Sequence, residues 1–441
     1  MPITRQQKIL QMESCRSNNH PQLTLHNWYD KDFQSHRFFR SIHVAGTNGK
    51  GSVIQWLEAL LKTKGLSTGS FISPHLISHN ERIRINGKPI SMDEWEVIYD
   101  SFAPIFQQRQ MTMFEMDLWM AARAFQNFRP DWVLMETGLG GGKDATNILS
   151  YPFGIITRIG MDHMAYLGPT KEDIAKAKAG IIHQDMFIIT AETDPACLKI
   201  FADTCLKEHA WLVQIPDSKT LDFSSFWPAF LPAYQKENFL CALTTLQMAG
   251  MTFCPGDLKK AASHFRWPGR FQLLQKDPMI LLDGAHNPDG INALVTALLE
   301  KGLSGSDRNQ KSSTDIRDSA HFAAPAAASL QTIYFSVLAD KQAGEMIERL
   351  QDLHAPIVLV HFDTYRLADL ESVAAQYNCP IISFDDLMKD LTQAKEPALI
   401  CGSLYFAGAV LEKWIELHPD FQLDQPGEHR KNKNYSCPKK K

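Results

Sequence analysis

Ser41-Ile42-His43-Val44-Ala45-Gly46-Thr47-Asn48-Gly49-Lys50-Gly51-Ser52 runs from a short β-prone stretch through a glycine-rich turn into a helical pattern. The helix is marked over Ser52–Lys64, where Val53, Ile54, Leu57, Leu60 and Leu61 share one stripe and Gly65 supplies the stop. In a strand–turn–helix unit of this kind, backbone N–H groups converge on phosphate oxygens at the helix N-terminus, and a lysine reaches the terminal phosphates. Asn48, Gly49, Lys50, Gly51 and Ser52 are therefore the candidate phosphate contacts. The loop is shorter than the usual P-loop, and Gly51 stands where a magnesium-binding hydroxyl normally follows the lysine.

Outward from this unit, apolar runs alternate with helical patterns over most of the chain. Ser41–Ala45, Trp132–Glu136, Gly154–Thr157, Phe187–Thr190, Met279–Leu282, Thr332–Val337, Ile357–His361 and Ala398–Cys401 read as strands. Several are apolar on both faces, as parallel strands covered by helices on each side require. The expected fold class is α/β, doubly wound in both halves: an N-terminal P-loop ATPase-like domain over 1–275 and a smaller Rossmann-like domain over 276–430. Trp267-Pro268-Gly269 interrupts the helical pattern just before that boundary. The aperiodic stretch 304–329, rich in Ser, Ala, Asp and Arg, reads as a mobile loop, and 431–441 as a disordered basic tail.

Composition narrows the class. At 441 residues, 44% hydrophobic and 21% charged, the chain reads as a soluble globular protein too long for one core. A net charge of -4 argues against a nucleic-acid partner. The eight cysteines form no CxxC pair, which fits reduced thiols rather than a disulfide frame or a zinc site. With no signal-peptide pattern and no membrane-spanning run, a cytoplasmic location is expected.

A carboxylate, Glu136, ends an apolar strand and is followed by Gly138-Leu139-Gly140. That puts it at the carboxyl edge of a parallel sheet, where open α/β folds bind ligands. The chain resembles the folylpolyglutamate synthase and dihydrofolate synthase family of the Mur ligase superfamily. The motifs that carry the resemblance occur in order: the 43–52 loop, Ser73-Pro74-His75-Leu76 with Asn80-Glu81-Arg82-Ile83, Glu136–Gly141 with Asp144–Asn147, Asp162-His163, Lys178–Ile181, Gln235 and Asn238, Trp267–Arg270, Asp283–Pro288, Asp340-Lys341 and Gly402-Ser403.

The resemblance implies an ATP-dependent ligase that adds L-glutamate to 7,8-dihydropteroate, to reduced folates, or to both, through an acyl phosphate. It implies a monomer using ATP and two magnesium ions, with potassium a further candidate. Lys50, Glu136, His163, Lys178 and His286 become the expected catalytic residues, and Ser73, Glu136 and His163 the metal ligands. Lys178 is expected to be carbamylated, since a free ammonium roughly 4 Å from divalent cations would be repelled by several kcal/mol at a dielectric of about 20. Arg270 is expected on the phosphates, Asn238 and Asp283 on the adenosine, and Lys341 and Ser403 on the glutamate carboxylates. Phe114, Glu115, Met116, Asp117, Lys143, Asp144 and Ala145 correspond to the dihydropteroate pocket. Gly142-Lys143 departs from the family's Arg-Leu, and Ala177 from the glutamate usual before the lysine.

Two other readings compete. The glycines at 138 and 140–142 suggest a dinucleotide fingerprint, but its third glycine would fall at Lys143 and no acid stands at the required distance. A nucleic-acid-binding protein would have only the short 431–441 tail to use.

Overall fold

The computed structural model describes residues 4–15, 20–34, 38, 40–305, 329–364 and 366–421. The expected mobile loop, apart from its ends, and the expected basic tail lie outside these residues.

Among the described residues fourteen strands form two sheets. The first comprises β1 (Ser41–Ala45), β2 (Thr68–Phe71), β3 (Ile83–Ile85), β4 (Lys88–Pro89), β5 (Trp132–Glu136), β6 (Phe153–Ile156), β7 (Phe187–Thr190) and β8 (Trp211–Gln214). Their order is β4-β3-β2-β5-β1-β6-β7-β8, parallel except for the β2–β3–β4 meander at one edge. The second sheet comprises β9 (Gln272–Lys276), β10 (Met279–Leu282), β11 (Thr332–Phe335), β12 (Ile357–His361), β13 (Ile381–Ser383) and β14 (Ala398–Cys401), ordered β13-β12-β11-β14-β10-β9. Only β9 runs antiparallel in it.

Both sheets are covered on both faces, as the apolar runs required. In β5, Val133 and Met135 join one core while Trp132 and Leu134 join the other. In β10, Leu281 and the alternating Ile280 and Leu282 divide in the same way. The helix Lys50–Thr63 buries Val53, Ile54, Trp56, Leu57, Leu60 and Leu61. Its Trp56 ring stacks on Phe265 with centroids 4.0 Å apart.

Several expected boundaries shift. The helix opens at Lys50, two residues before the expected start at Ser52, because Gly49 (φ 91°) turns the chain into it. β6 starts at Phe153 and β11 stops at Phe335. The expected 275/276 boundary falls inside β9, whose Gln-Leu-Leu-Gln-Lys sequence has no apolar run to announce it.

The position of β1 between β5 and β6 matters most for function. The carboxyl ends of β1, β2, β5 and β6 open on one side, and those of β10, β11 and β14 in the second sheet face the same space. Residues after each of these strands line a single cleft of about 1910 Å³.

Candidate active site

The phosphate loop shapes one wall of this cleft. Gly46 has φ 139°, and a Cβ there would overlap Thr157 Oγ1. Thr157 uses that hydroxyl to donate to the Asn48 carbonyl at 2.7 Å. A Cβ on Gly49 would lie 2.5 Å from Asn238 Oδ1. Asn238 is held by the Gln235 amide (3.1 Å), which in turn donates to Ser52 Oγ (3.2 Å). Lys50 folds its ammonium back onto the carbonyls of Gly46 and Thr47, both at 3.3 Å.

Glu136 stands beside the loop at the end of the neighbouring β5, only 4% exposed, with Oε1 4.0 Å from Lys50 Nζ and Oε2 accepting the Ser73 N–H at 3.1 Å. Burial pushes its carboxyl up to about 7, against the pull of Lys50, the Ser73 N–H, Arg270 and Arg82. Lys178 is buried as well. Its ammonium donates to the Gly46 carbonyl at 2.7 Å, and burial next to Lys50 pushes it down to about 7.

A second cluster joins the two sheets. Asp162 Oδ1 accepts from Lys341 Nζ at 2.6 Å, and Oδ2 accepts from Asn287 Nδ2 at 2.9 Å. Burial would raise the Asp162 carboxyl, but His163 and Lys341 outweigh it and hold it well below the usual carboxylate range. Asn287 and Asn48 exchange amide bonds of 3.0 and 3.1 Å. His286 donates from Nδ1 to the Gly284 carbonyl at 2.9 Å, which leaves the lone pair on Nε2. Burial, with Arg270 and Lys341 nearby, pushes this imidazole down to about 4, so it is neutral at pH 7. The His163 side chain is 41% exposed at φ 53°, and burial of its inner edge lowers its pKa against the pull of Asp162.

Of the residues singled out from sequence, Asn48, Gly49, Lys50, Gly51, Ser52, Ser73, Phe114, Glu136, Asp144, His163, Lys178, Asn238, Arg270, Asp283, His286, Lys341 and Ser403 line this cleft. Others point elsewhere. Glu115 closes the capping box of the helix Met113–Phe128, accepting from Thr112 N (2.8 Å) and His20 N (2.7 Å). Met116 and Ala145 are core residues. Asp117 is buried against His79 and Arg82, and Lys143 is exposed outside the cleft. On a helix, a four-residue run such as 114–117 cannot face one side throughout, so only Phe114 reaches the cavity.

Two cleft residues have their oxygens already committed. Asp144 accepts from the Gly138 and Leu139 amides (2.8 and 2.9 Å) and from Thr146. Asp283 accepts from the Phe271 and Ala285 amides, both at 2.7 Å. They shape loops more than they offer free acceptors. Sequence reading passed over Asn287, which caps the helix Pro288–Glu300 while bridging Asn48 and Asp162. The Asn-Pro dipeptide opening a helix was its available signal.

The donor set suits a nucleotide and a divalent cation. The glycines leave room where backbone N–H groups meet phosphate. Glu136 is a buried carboxyl whose charge Lys50 only partly offsets, the situation a bound cation relieves.

A phosphate loop and a buried carboxylate facing a second α/β sheet define a Mur-type ATP-dependent ligase. The profile of the Mur ligase middle domain matches residues 44–215. The dihydrofolate synthase/folylpolyglutamate synthase of Bacillus subtilis is 30% identical over 416 residues, covering 85% of this chain and 90% of its own. The folylpolyglutamate synthase of Lacticaseibacillus casei is 28% identical over 405 residues, covering 84% and 89%. The structure of Mycobacterium tuberculosis folylpolyglutamate synthase complexed with ADP superposes with a TM-score of 0.78 at 26% identity, covering 93% of this chain and 99% of that one. The chain belongs to the dihydrofolate synthase/folylpolyglutamate synthase family of ATP-dependent ligases. Among the described residues no helix is long and apolar enough to cross a membrane.

Proposed function

We propose that the chain joins L-glutamate to the carboxylate of 7,8-dihydropteroate, of a reduced folate, or of both, with ATP as activator and an acyl phosphate as intermediate. The observation that carries this reading is the single cleft between the sheets, with Lys50 and Glu136 on one wall and His286, Lys341 and Ser403 on the other. The names of the relatives support the choice of substrates.

Lys50 and the 46–52 loop hold the triphosphate, and Arg270 approaches it from the junction of the sheets. Glu136, with Ser73 and His163, would hold magnesium, two ions in all. When bound, the metal neutralises the phosphates and aligns the attacking and leaving oxygens. The acceptor carboxylate attacks the γ-phosphorus, the bond to the bridging oxygen of ADP breaks, and the acyl phosphate forms. The glutamate amine then attacks the acyl carbon. Inorganic phosphate departs with the bonding electron pair, and the amine gives up its proton as the amide forms.

Lys341 and Ser403 hold the incoming glutamate by its carboxylates, and the neutral His286 imidazole faces the same space. Lys178, driven toward the neutral amine by burial, is suited to add carbon dioxide and become an anion beside the cations. Both walls come from one chain, which fits a monomeric enzyme, and the expected location is the cytoplasm.

The test is phosphate release by purified protein with ATP and glutamate, offering dihydropteroate and tetrahydrofolate in parallel. Release dependent on both glutamate and at least one acceptor is expected. Release with neither acceptor, or without glutamate, would overturn the proposal.

A further inference from the structure

Among the described residues, Glu13, His75 and His79 bring one ligand atom each to within 4.8 Å of one another. They lie behind the cleft wall, where the helix Arg5–Ser14 meets the loop after β2. His79 is 3% exposed, and its Nδ1 is closed off from solvent with no hydrogen-bond partner. That nitrogen lies 3.9 Å from Glu13 Oε1. On the other side of the ring, Nε2 sits 2.7 Å from Asp117 Oδ1. A carboxylate can only accept there, so Nε2 carries a proton; against the cost of burial, Asp117 and Glu13 raise the imidazole's pKa, and Nδ1, whose proton a cation would displace, points toward Glu13 and His75. A carboxylate that orients a histidine so that its second nitrogen faces the other ligands is the arrangement found behind metal-ligating imidazoles.

We propose that Glu13, His75 and His79 form a second cation site, distinct from the nucleotide's metal and suited to a borderline ion of the zinc type. Two imidazoles and one carboxylate favour such an ion over magnesium, which prefers an all-oxygen shell. Bonds of about 2.0 Å around a tetrahedral ion place ligand atoms roughly 3.3 Å apart, so the cluster closes by about an ångström on loading.

Loading has one structural consequence. His75 Nδ1 accepts from Arg82 Nε at 3.0 Å. Ligation through Nδ1 takes that lone pair, and ligation through Nε2 moves the ring proton onto Nδ1, so either way Arg82 must release the ring. Arg82 also reaches Asp117 Oδ2 at 3.2 Å and lines the catalytic cleft. The ion thus clasps the N-terminal helix to the loop and detaches the Arg82 guanidinium from His75, leaving Asp117 as its partner on the cleft wall.

The test uses the full chain, stripped of metal and without nucleotide. Zinc chloride is titrated by calorimetry and thermal unfolding, with cobalt(II) as a spectroscopic probe. The expected result is one zinc per chain, a raised midpoint, no equivalent effect of magnesium, and a cobalt spectrum without thiolate charge transfer. Glu13→Gln and His75→Gln should each weaken zinc binding by about tenfold or more, while Glu136→Ala leaves it unchanged. Absence of zinc binding, binding lost with Glu136→Ala, or binding unaffected by both cluster variants would overturn the proposal. Two variants are used so that loss of folding in one leaves the other to decide.

Discussion

At the scale of single residues, Glu136 and Lys178 are held in charge states that the closed cleft opposes. The Glu136 carboxyl titrates near 7 in the folded chain, against 4.5 ordinarily. Between those values the folded state keeps a proton that the unfolded state has lost, so stability falls as pH rises through this window. Glu136→Gln carries no such penalty. It should unfold a few degrees above the wild type at about pH 8, with the advantage gone at about pH 4, as thermal scans at both pH values would show. The same variant should lose roughly a hundredfold or more in ADP formation, because its charge is absent where phosphoryl transfer needs it. Lys178, ordinarily at 10.5, sits near 7. Carbon dioxide adds only to the neutral amine, so activity should decline below about pH 7, fall further in degassed buffer and recover with bicarbonate. Activity indifferent to bicarbonate would remove carbamylation from the account. Neither environment was legible in sequence. The residue types and their order were visible, but the burial that shifts them comes from helices and loops distant along the chain. The run 114–117 shows the same limit, since only side-chain direction separates the cleft-lining Phe114 from the core Met116.

Among the elements, those with apolar runs announced themselves, and β1, β5, β7, β10, β12 and β14 stand where the sequence placed them. The polar or edge strands did not: β2 reads Thr-Gly-Ser-Phe, and β8 and β13 lie at sheet edges. The β3–β4 hairpin did carry a signal, Asn86-Gly87 with both residues at positive φ, which is the pairing a two-residue hairpin turn demands. The phosphate loop was the most legible element, because its glycines answer to backbone geometry. Gly49 combines φ 91° with close approach to Asn238. Gly49→Ala should therefore cost about 1 kcal/mol in backbone strain alone. It should also raise the KM for ATP by about tenfold or more as the loop moves off the phosphates. Unchanged KM in steady-state assays would mean that the loop does not seat the nucleotide.

For the molecule as a whole, Asp162 is the joint. It ties Lys341 and Asn287 of the second sheet's loops to the first sheet's cleft, and Lys341 is 7% exposed. Asp162→Ala leaves that buried ammonium with only the partly exposed Asp340 carboxylate, 3.7 Å away, and an expected loss of about 3 kcal/mol. Replacing Lys341 as well, by Met, should recover much of that stability but not glutamate-dependent turnover. Chemical denaturation and kinetics of the two variants would separate joint from substrate contact. The proposed chemistry phosphorylates the acceptor carboxylate before the amine arrives, and transfer of a heavy-oxygen label distinguishes this order from the alternatives. With an acceptor labelled in its carboxylate oxygens, one label should appear in the released inorganic phosphate for each amide formed. Amide formation with unlabelled phosphate would rule out an acyl phosphate intermediate.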